Sequence, residues 1–363
     1  MVRVTTPPPD DGRGAAMGAA GTHAATSYSP ALPTPRGPLS AAVIETLSGD
    51  RHRVLPPRAT VAAADAYGED LQLALYTCYE LHYRAFAGTD GRWEWDPELL
   101  RLRGDLESAF LAALRHDLPH HSDVASALEP LVHEPVDGDG VSHFLERGGE
   151  LWQVREFVAM RSLYHLKEAD PHAWVIPRLL GQAKASLVAV EYDEFGAGRA
   201  ARAHSQLFAD LMAGLGLDPR YGRYLDAAPA HMLATVNLMS LLGLHRSLRG
   251  ALVGHLAAAE ITTAPSAHRM VQALRRLKLP EQCVSFYTEH VEADAVHEQV
   301  MRHDVIGDLL GREPDLTPDV IFGIDATSFL EDRLADQLLG AWRTGTTSLR
   351  QPIQTLPLLS PDP

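Results

Sequence analysis

His290-Val-Glu-Ala-Asp294-Ala-Val-His297 lies inside a helical run that opens at Leu279-Pro280 and closes at Leu310-Gly311. Proline suits a first helical turn, and glycine commonly follows a last one. Positions 290, 294 and 297 are i, i+4 and i+7, so a helix sets their side chains along one stripe. Two imidazoles with a carboxylate between them are a donor set for a first-row metal ion. In a chain with 18 histidines the same spacing also describes an exposed polar stripe, so the triplet has to be read with what precedes it.

Three upstream segments carry matching donors. Val190-Glu-Tyr-Asp-Glu-Phe-Gly-Ala-Gly198 ends a helix with Glu191 and Glu194 one turn apart. After that glycine break, Ala203-His-Ser-Gln-Leu-Phe208 opens the next helix with His204. Glu260 stands in the otherwise apolar Gly254-His-Leu-Ala-Ala-Ala-Glu-Ile261. A carboxylate among alanines, leucine and isoleucine is expensive to bury unless it is paired or ligating, and desolvation otherwise keeps it protonated. Its bland readings are a surface glutamate or an ion pair with Arg249. The full inventory is Glu194 or Glu191, His204, Glu260, His290, Asp294 and His297. Such a set suits two iron or manganese ions inside a helical bundle, whereas zinc more often takes thiolates or a compact three-ligand set. Cys283 shares a helical stripe with His290 and is expected to pack, and His255 is expected to serve the core or to support a ligand. Arg161, Lys167, Arg178 and Lys184 offer cations for a substrate carboxylate, against a plainer reading as surface partners of Glu168, Asp170 or Glu191.

The rest of the chain frames these segments. Its 363 residues suffice for one large or two smaller domains. A formal charge of −15 argues against nucleic acid or an anionic membrane as partner. Two cysteines cannot make a disulfide framework. The longest apolar run, Met232 to Leu244, is too short to span a bilayer, and no apolar signal core opens the chain, so the expected location is cytoplasmic. Residues 1–58 are rich in Pro, Gly, Ala, Ser and Thr without a sustained period and are expected to be largely disordered, with Leu39 to Leu47 as a helical turn or two. Residues 59–140 read as a helical extension and linker: helices over Val61–Phe86 and Glu98–Arg115, Trp93 and Trp95 packing in the core, and His120, His121, His133 and His143 on the surface. Residues 141–345 read as long helices, roughly 141–168, 172–194, 199–215, 228–262, 266–277, 280–310 and 325–343, and 346–363 as a tail. Gly250 and Gly254, one turn apart in a helix, predict close approach of a neighbouring backbone. No strand alternation occurs, which makes the protein all-α.

The ordered series of Glu and His, an isolated Glu in an Ala-rich helix, and His-x-x-x-Asp-x-x-His thirty residues later resembles the haem-oxygenase-like diiron oxidases over about Leu151 to Leu310. Phe286-Tyr-Thr-Glu-His-Val-Glu-Ala-Asp-Ala-Val-His297 carries the resemblance most closely, and the chain is most similar to the actinobacterial-type branch called iron-containing redox enzymes. The resemblance implies a haem-oxygenase-like helical bundle with an N-terminal helical extension. It implies two irons cycling between Fe2+ and Fe3+, with manganese as a substitute. Glu194, His204 and one end of the triplet would serve one ion, and Glu260 and the rest of the triplet the other. The first Glu and its His stand ten residues apart across two glycines, wider than the family's usual two helical turns, which leaves Glu191 and Glu194 both open. The implied reaction is O2-dependent oxidation of a small organic acid, amino acid or related metabolite. Family members desaturate, cleave C–C bonds or oxygenate nitrogen. The implied partners are O2, a small-molecule substrate and an unnamed electron donor, with a homodimer allowed and neither nucleic acid nor membrane. The competing readings are a metal-free enzyme on the related thiaminase-like or cofactor-synthase scaffold, a haem-binding protein, and a helical interaction module without catalysis.

Overall fold

The computed structural model describes residues 29–49, 54–119, 121–133 and 138–358, apart from the side chain of Ala295. The helices in chain order are α1 (Pro38–Leu47), α2 (Arg58–Ala62), α3 (Glu69–Glu80), α4 (Pro97–Asp117), α5 (Val124–Val132), α6 (Val141–Gly148), α7 (Leu151–His165) and α8 (Asp170–Ala173). They continue with α9 (Gly181–Glu194), α10 (His204–Gly214), α11 (Ala230–Leu244), α12 (Arg249–Arg276), α13 (Ser285–Gln299), α14 (Gly307–Arg312) and α15 (Thr317–Arg343). No strand occurs among the described residues, so the protein is all-α. None of these helices is long and apolar enough to cross a membrane.

The centre of the molecule is α12, which packs against α15 on one side and α13 on the other. The α12–α15 contact is unusually close because glycine faces backbone on both helices. A methyl group on Gly254 would lie 2.0 Å from the Val320 carbonyl oxygen, and one on Gly323 would lie 1.9 Å from that of Ala251. The backbone approach expected from Gly254 is therefore present. Around this pair, α11 is buried on nearly every side and packs on α3, α12 and α15.

Helix boundaries differ from the sequence reading in several places: the expected helices over Val61–Phe86, 141–168 and 172–194 are each broken, α15 starts at Thr317 rather than 325, and two differences bear on the centre of the fold. The expected stop at Thr262-Thr-Ala-Pro265 is absent, and α12 runs on to Arg276. Pro265 removes one intrahelical N–H bond, and burial of the helix against two neighbours outweighs that loss. The chain breaks instead at His245, where Arg178 donates to the Gly243 carbonyl at 2.5 Å and to the Leu244 carbonyl at 3.2 Å. These are two of the carbonyls a helix end leaves open, so a distant guanidinium caps α11. Val300–Ile306, directly after the His-Asp-His stretch, is wound as a π-helix before α14 resumes.

Within the 1–58 segment the helical stretch expected over Leu39 to Leu47 is present as α1, and the disorder expected around it needs correction for the rest of residues 29–49. Helix α1 buries Leu39, Val43 and Leu47 against α3. The Asp70 carboxylate accepts from the Leu39 and Ser40 N–H groups at 2.9 and 2.7 Å, tying down the start of the helix. The stretch is too short to show a period of its own, and its burial is supplied by α3. Residues 1–28 and 50–53 lie outside the described residues. Trp95 is exposed rather than packed, Trp93 is half-buried, and His143 is buried rather than on the surface. His120 lies outside the described residues.

Candidate metal centre

Five structural segments deliver the donors. Glu168 sits on the turn that follows α7, and Glu191 and Glu194 close α9. His204 opens α10, Glu260 lies mid-way along α12, and His290, Asp294 and His297 line one face of α13. The connection from Glu194 to His204 depends on Gly196, at φ 69°, where a Cβ would strike the Ala203 nitrogen at 2.4 Å. Glycine there lets the chain fold back tightly enough for the end of α9 to meet the start of α10.

The donor atoms fall into two groups, each within 4.8 Å internally: Glu168, Glu194, His204 and His290, and Glu194, Glu260, Asp294 and His297. Glu194 belongs to both. His204 Nδ1 is 2.8 Å from Glu194 Oε2. His297 Nδ1 is 3.2 Å from Glu260 Oε2, 3.7 Å from Glu194 Oε1 and 3.7 Å from Asp294 Oδ1. His290 Nε2 is 3.8 Å from Glu168 Oε1. All seven side chains are buried or nearly so. Yet His204 Nδ1, His290 Nε2, Asp294 Oδ1 and one oxygen of Glu168 lack an aligned hydrogen-bond partner. Buried polar atoms are rarely left so, and here they converge on common points instead of on each other. Between them is a cavity of about 20 Å³, lined by Glu168, Glu194, Glu260, His290 and Asp294 among others.

Hydrogen bonds outside the cluster orient its members. His290 Nδ1 lies 2.8 Å from the Phe286 carbonyl, which can only accept, so Nδ1 carries a proton and Nε2 is the nitrogen that faces Glu168. His165 Nδ1 lies 2.9 Å from Glu168 Oε1 and fixes that carboxylate. On the far side of His297, Nε2 is 3.3 Å from the half-exposed Asp193.

The electrostatics are those of an acidic cluster in search of positive charge. Burial, followed by repulsion from Glu260, pushes the Asp294 carboxyl up to about 9. Burial also raises Glu260. For His290 burial opposes charge, but the bond and attraction to Glu168 prevail and lift it to about 10. His297 rises to about 9 in the same way, burial being outweighed by Glu260. Although burial opposes it, His165 and His290 hold the Glu168 carboxyl well below the usual carboxylate range. Without a metal, protons supply the charge that a bound cation would otherwise provide.

Six of the seven residues singled out from sequence thus come together: Glu194, His204, Glu260, His290, Asp294 and His297. Glu191 does not join either group. It lies one turn back on α9, buried, with both carboxylate oxygens unpartnered, and burial with repulsion from Glu194 and Glu260 pushes it up to about 9. Glu168 was read from sequence only as a surface partner for nearby cations. Its signal was His165 three residues earlier, but α7 ends between them, so no helical stripe marks the pair. The cations went elsewhere. Lys167 is buried against Glu80 at 2.9 Å, Arg161 pairs with Glu331, and Arg249 pairs with Glu313 rather than Glu260.

A second cavity of about 520 Å³ shares Tyr164, Glu168, Ala259 and Thr263 with the metal pocket and extends between α7, α12, α13 and α15. That volume is typical of small-molecule sites.

Residues 155–332 match the family described as iron-containing redox enzyme. Over 181 residues the chain is 26% identical to a nitrosourea synthase of Streptomyces achromogenes subsp. streptozoticus. That match covers 50% of this chain and 37% of the relative, so the chain corresponds to little more than a third of that protein's length. The all-α architecture agrees with the haem-oxygenase-like fold expected from the sequence.

Proposed function

With residues 155–332 matching the iron-containing redox enzymes, we propose that the chain is a dinuclear iron oxidase that uses O2 on a small organic molecule. Glu168, Glu194, His204 and His290 would hold one ion, and Glu194, Glu260, Asp294 and His297 the other. The observation that carries this reading is the place of Glu194 in both donor groups, since a carboxylate can bridge two ions. Charge agrees: four carboxylates balance two divalent cations when the three imidazoles are neutral. When bound, the irons would supply the reduction of O2 and the oxidising power for the substrate.

The protein's own part is orientation and exclusion of water. Phe286 keeps His290 in the tautomer that presents Nε2, and His165 holds Glu168 ionised and in place. Burial of the donor residues keeps the centre dry, and the adjoining cavity brings a substrate up to Glu168. The haem reading fits less well, because the imidazoles here stand among carboxylates with room only for about 20 Å³ between them.

Anaerobic loading with ferrous iron, followed by metal analysis, should give about two irons per chain. The loaded protein should then consume O2. His297→Ala should lower the iron count and the O2 uptake while far-UV circular dichroism stays nearly unchanged. A variant that binds iron and takes up O2 like the parent would reduce the triplet to a polar helix face.

A further inference from the structure

The wall of the 520 Å³ cavity has a one-sided hydrogen-bonding character. Besides Ser142, Tyr164 and Tyr287, six hydroxyls line it: Thr235, Thr262, Thr263, Ser266, Thr327 and Ser328. Each donates its proton to a carbonyl of its own helix. Thr262 bonds Ala258, Thr263 bonds Ala259, and Ser266 bonds Thr263, at 2.9, 2.7 and 2.9 Å. Thr327 bonds Gly323 at 2.7 Å, Ser328 bonds Ile324 at 3.2 Å, and Thr235 bonds His231 at 3.4 Å. What these side chains have left to offer is oxygen lone pairs.

His255 adds to the pattern. Its Nδ1 lies 2.7 Å from Thr327 Oγ1, whose proton is already given to Gly323, so the hydroxyl accepts and Nδ1 carries the imidazole hydrogen. Nε2 is then a bare acceptor, buried and without a partner. The imidazole stays neutral near pH 7, because burial pulls it down to about 4.

The charged groups lean the same way. Arg161 is taken up by both oxygens of Glu331, and Arg269 donates to Ser142 at 2.9 Å. The Glu331 side chain remains one-third exposed, and Asp332 follows it on the same wall. Among the fully buried side-chain atoms of the described lining residues, the one orphaned donor is the Tyr287 hydroxyl. Between the polar positions the wall is apolar, with Phe157, Met239, Met270, Phe286 and Leu338. A ligand that satisfies this wall must bring N–H donors and, beside Glu331 and Asp332, positive charge.

We infer that the cavity takes an organic cation, a protonated amine or amidinium head rich in N–H donors, carried on an apolar body. The inference rests on the reading of this cavity as the substrate chamber of the metal centre, and names the substrate class for it.

The test uses three probes of one chain length: hexylammonium, hexan-1-ol and hexanoate. Each is titrated calorimetrically into the full chain, with and without Mn2+, which occupies the metal carboxylates without redox chemistry. Hexylammonium should bind about tenfold or more tighter than hexanoate in both states, the margin of one charge-assisted hydrogen bond. Glu331→Gln should weaken hexylammonium about tenfold and improve hexanoate, because the Arg161 charge is unmasked. His255→Phe should weaken hexylammonium and hexanol while leaving hexanoate alone, and stands in if the first variant fails to fold. Hexanoate binding as tightly as hexylammonium, an order unmoved by either variant, or no binding of any probe overturns the inference. So does a hexylammonium preference that disappears with Mn2+, which would put the cation on the metal carboxylates. Mn2+ binding combined with a hexanoate preference sinks the substrate class alone, whereas an intact cation preference in a chain that takes up no metal sinks the metal reading alone.

Discussion

Glu194 and Glu168 differ in one respect that makes the site testable residue by residue. Glu194 has a donor atom in both groups, whereas Glu168 has one in the first only. Glu168→Gln should therefore lower iron content from about two to about one per chain, and Glu194→Gln should lower it further, as measured by metal analysis after anaerobic loading. Equal losses in the two variants would deny Glu194 its shared position. The raised groups predict a proton count as well. Asp294 and His297 at about 9, and His290 at about 10, keep protons at pH 7 in the metal-free chain, and cations must expel them. Metal binding in weak buffer should release protons, and apparent affinity should climb from about pH 6 to about pH 9. A flat affinity over that range would count against these groups as the donors. His290, Asp294, His297 and Glu260 were readable in the sequence because i, i+4, i+7 spacing and a carboxylate in an alanine run are local signals. Glu168 was not, because its partners His165 and His290 meet it across a turn and across the fold. Nor could spacing choose between Glu191 and Glu194, since one helical turn separates them and only the position of α10 favours the second.

At the scale of elements, helices were legible and their ends were not. The stop at Pro265 failed because a proline's lost hydrogen bond is small beside the burial of α12 between α13 and α15. The stop at His245 was invisible because its cap, Arg178, lies 65 residues away. Gly254 was legible, since glycine in a buried helix has few other reasons to be there. Gly254→Val would push a side chain into the Val320 carbonyl at 2.0 Å and force α12 and α15 apart. Overpacking of this kind costs about 1–3 kcal/mol or more, and here backbone rather than a flexible side chain must yield. Thermal unfolding should show a clearly lowered midpoint. Because Glu260 rides on the same helix six residues later, iron affinity should fall with it. A variant with unchanged midpoint would mean the two helices are free to separate.

Across the whole molecule, the elements preceding residue 141 are bound into the bundle at several places, α3 against α11 and α5 against α12 and α15, and one of them is a buried ion pair. Glu80, at the end of α3, is fully buried and meets Lys167 Nζ at 2.9 Å and the Tyr221 hydroxyl at 2.9 Å. The ammonium also lies 4.2 Å from the Tyr83 ring centroid and 4.8 Å from that of Tyr76. Composition alone gives no hint of this arrangement, because a lysine beside a glutamate in sequence reads as surface. Its consequence is mechanical: Lys167 immediately precedes Glu168, so the turn that carries this candidate donor is anchored to α3. Removing one member of such a pair leaves the other charge stranded in an apolar interior, which costs roughly 3–5 kcal/mol, whereas replacing both by apolar residues is often close to neutral. Lys167→Met should therefore lower stability in urea strongly, and Lys167→Met combined with Glu80→Met should recover most of the loss. The same pair of variants separates stability from site geometry. If the anchor positions Glu168, the recovered double variant will still bind its first iron more weakly, since the apolar pair packs without fixing the turn. Recovery of both stability and iron affinity would assign Glu80 and Lys167 to the core alone and leave Glu168 positioned by His165.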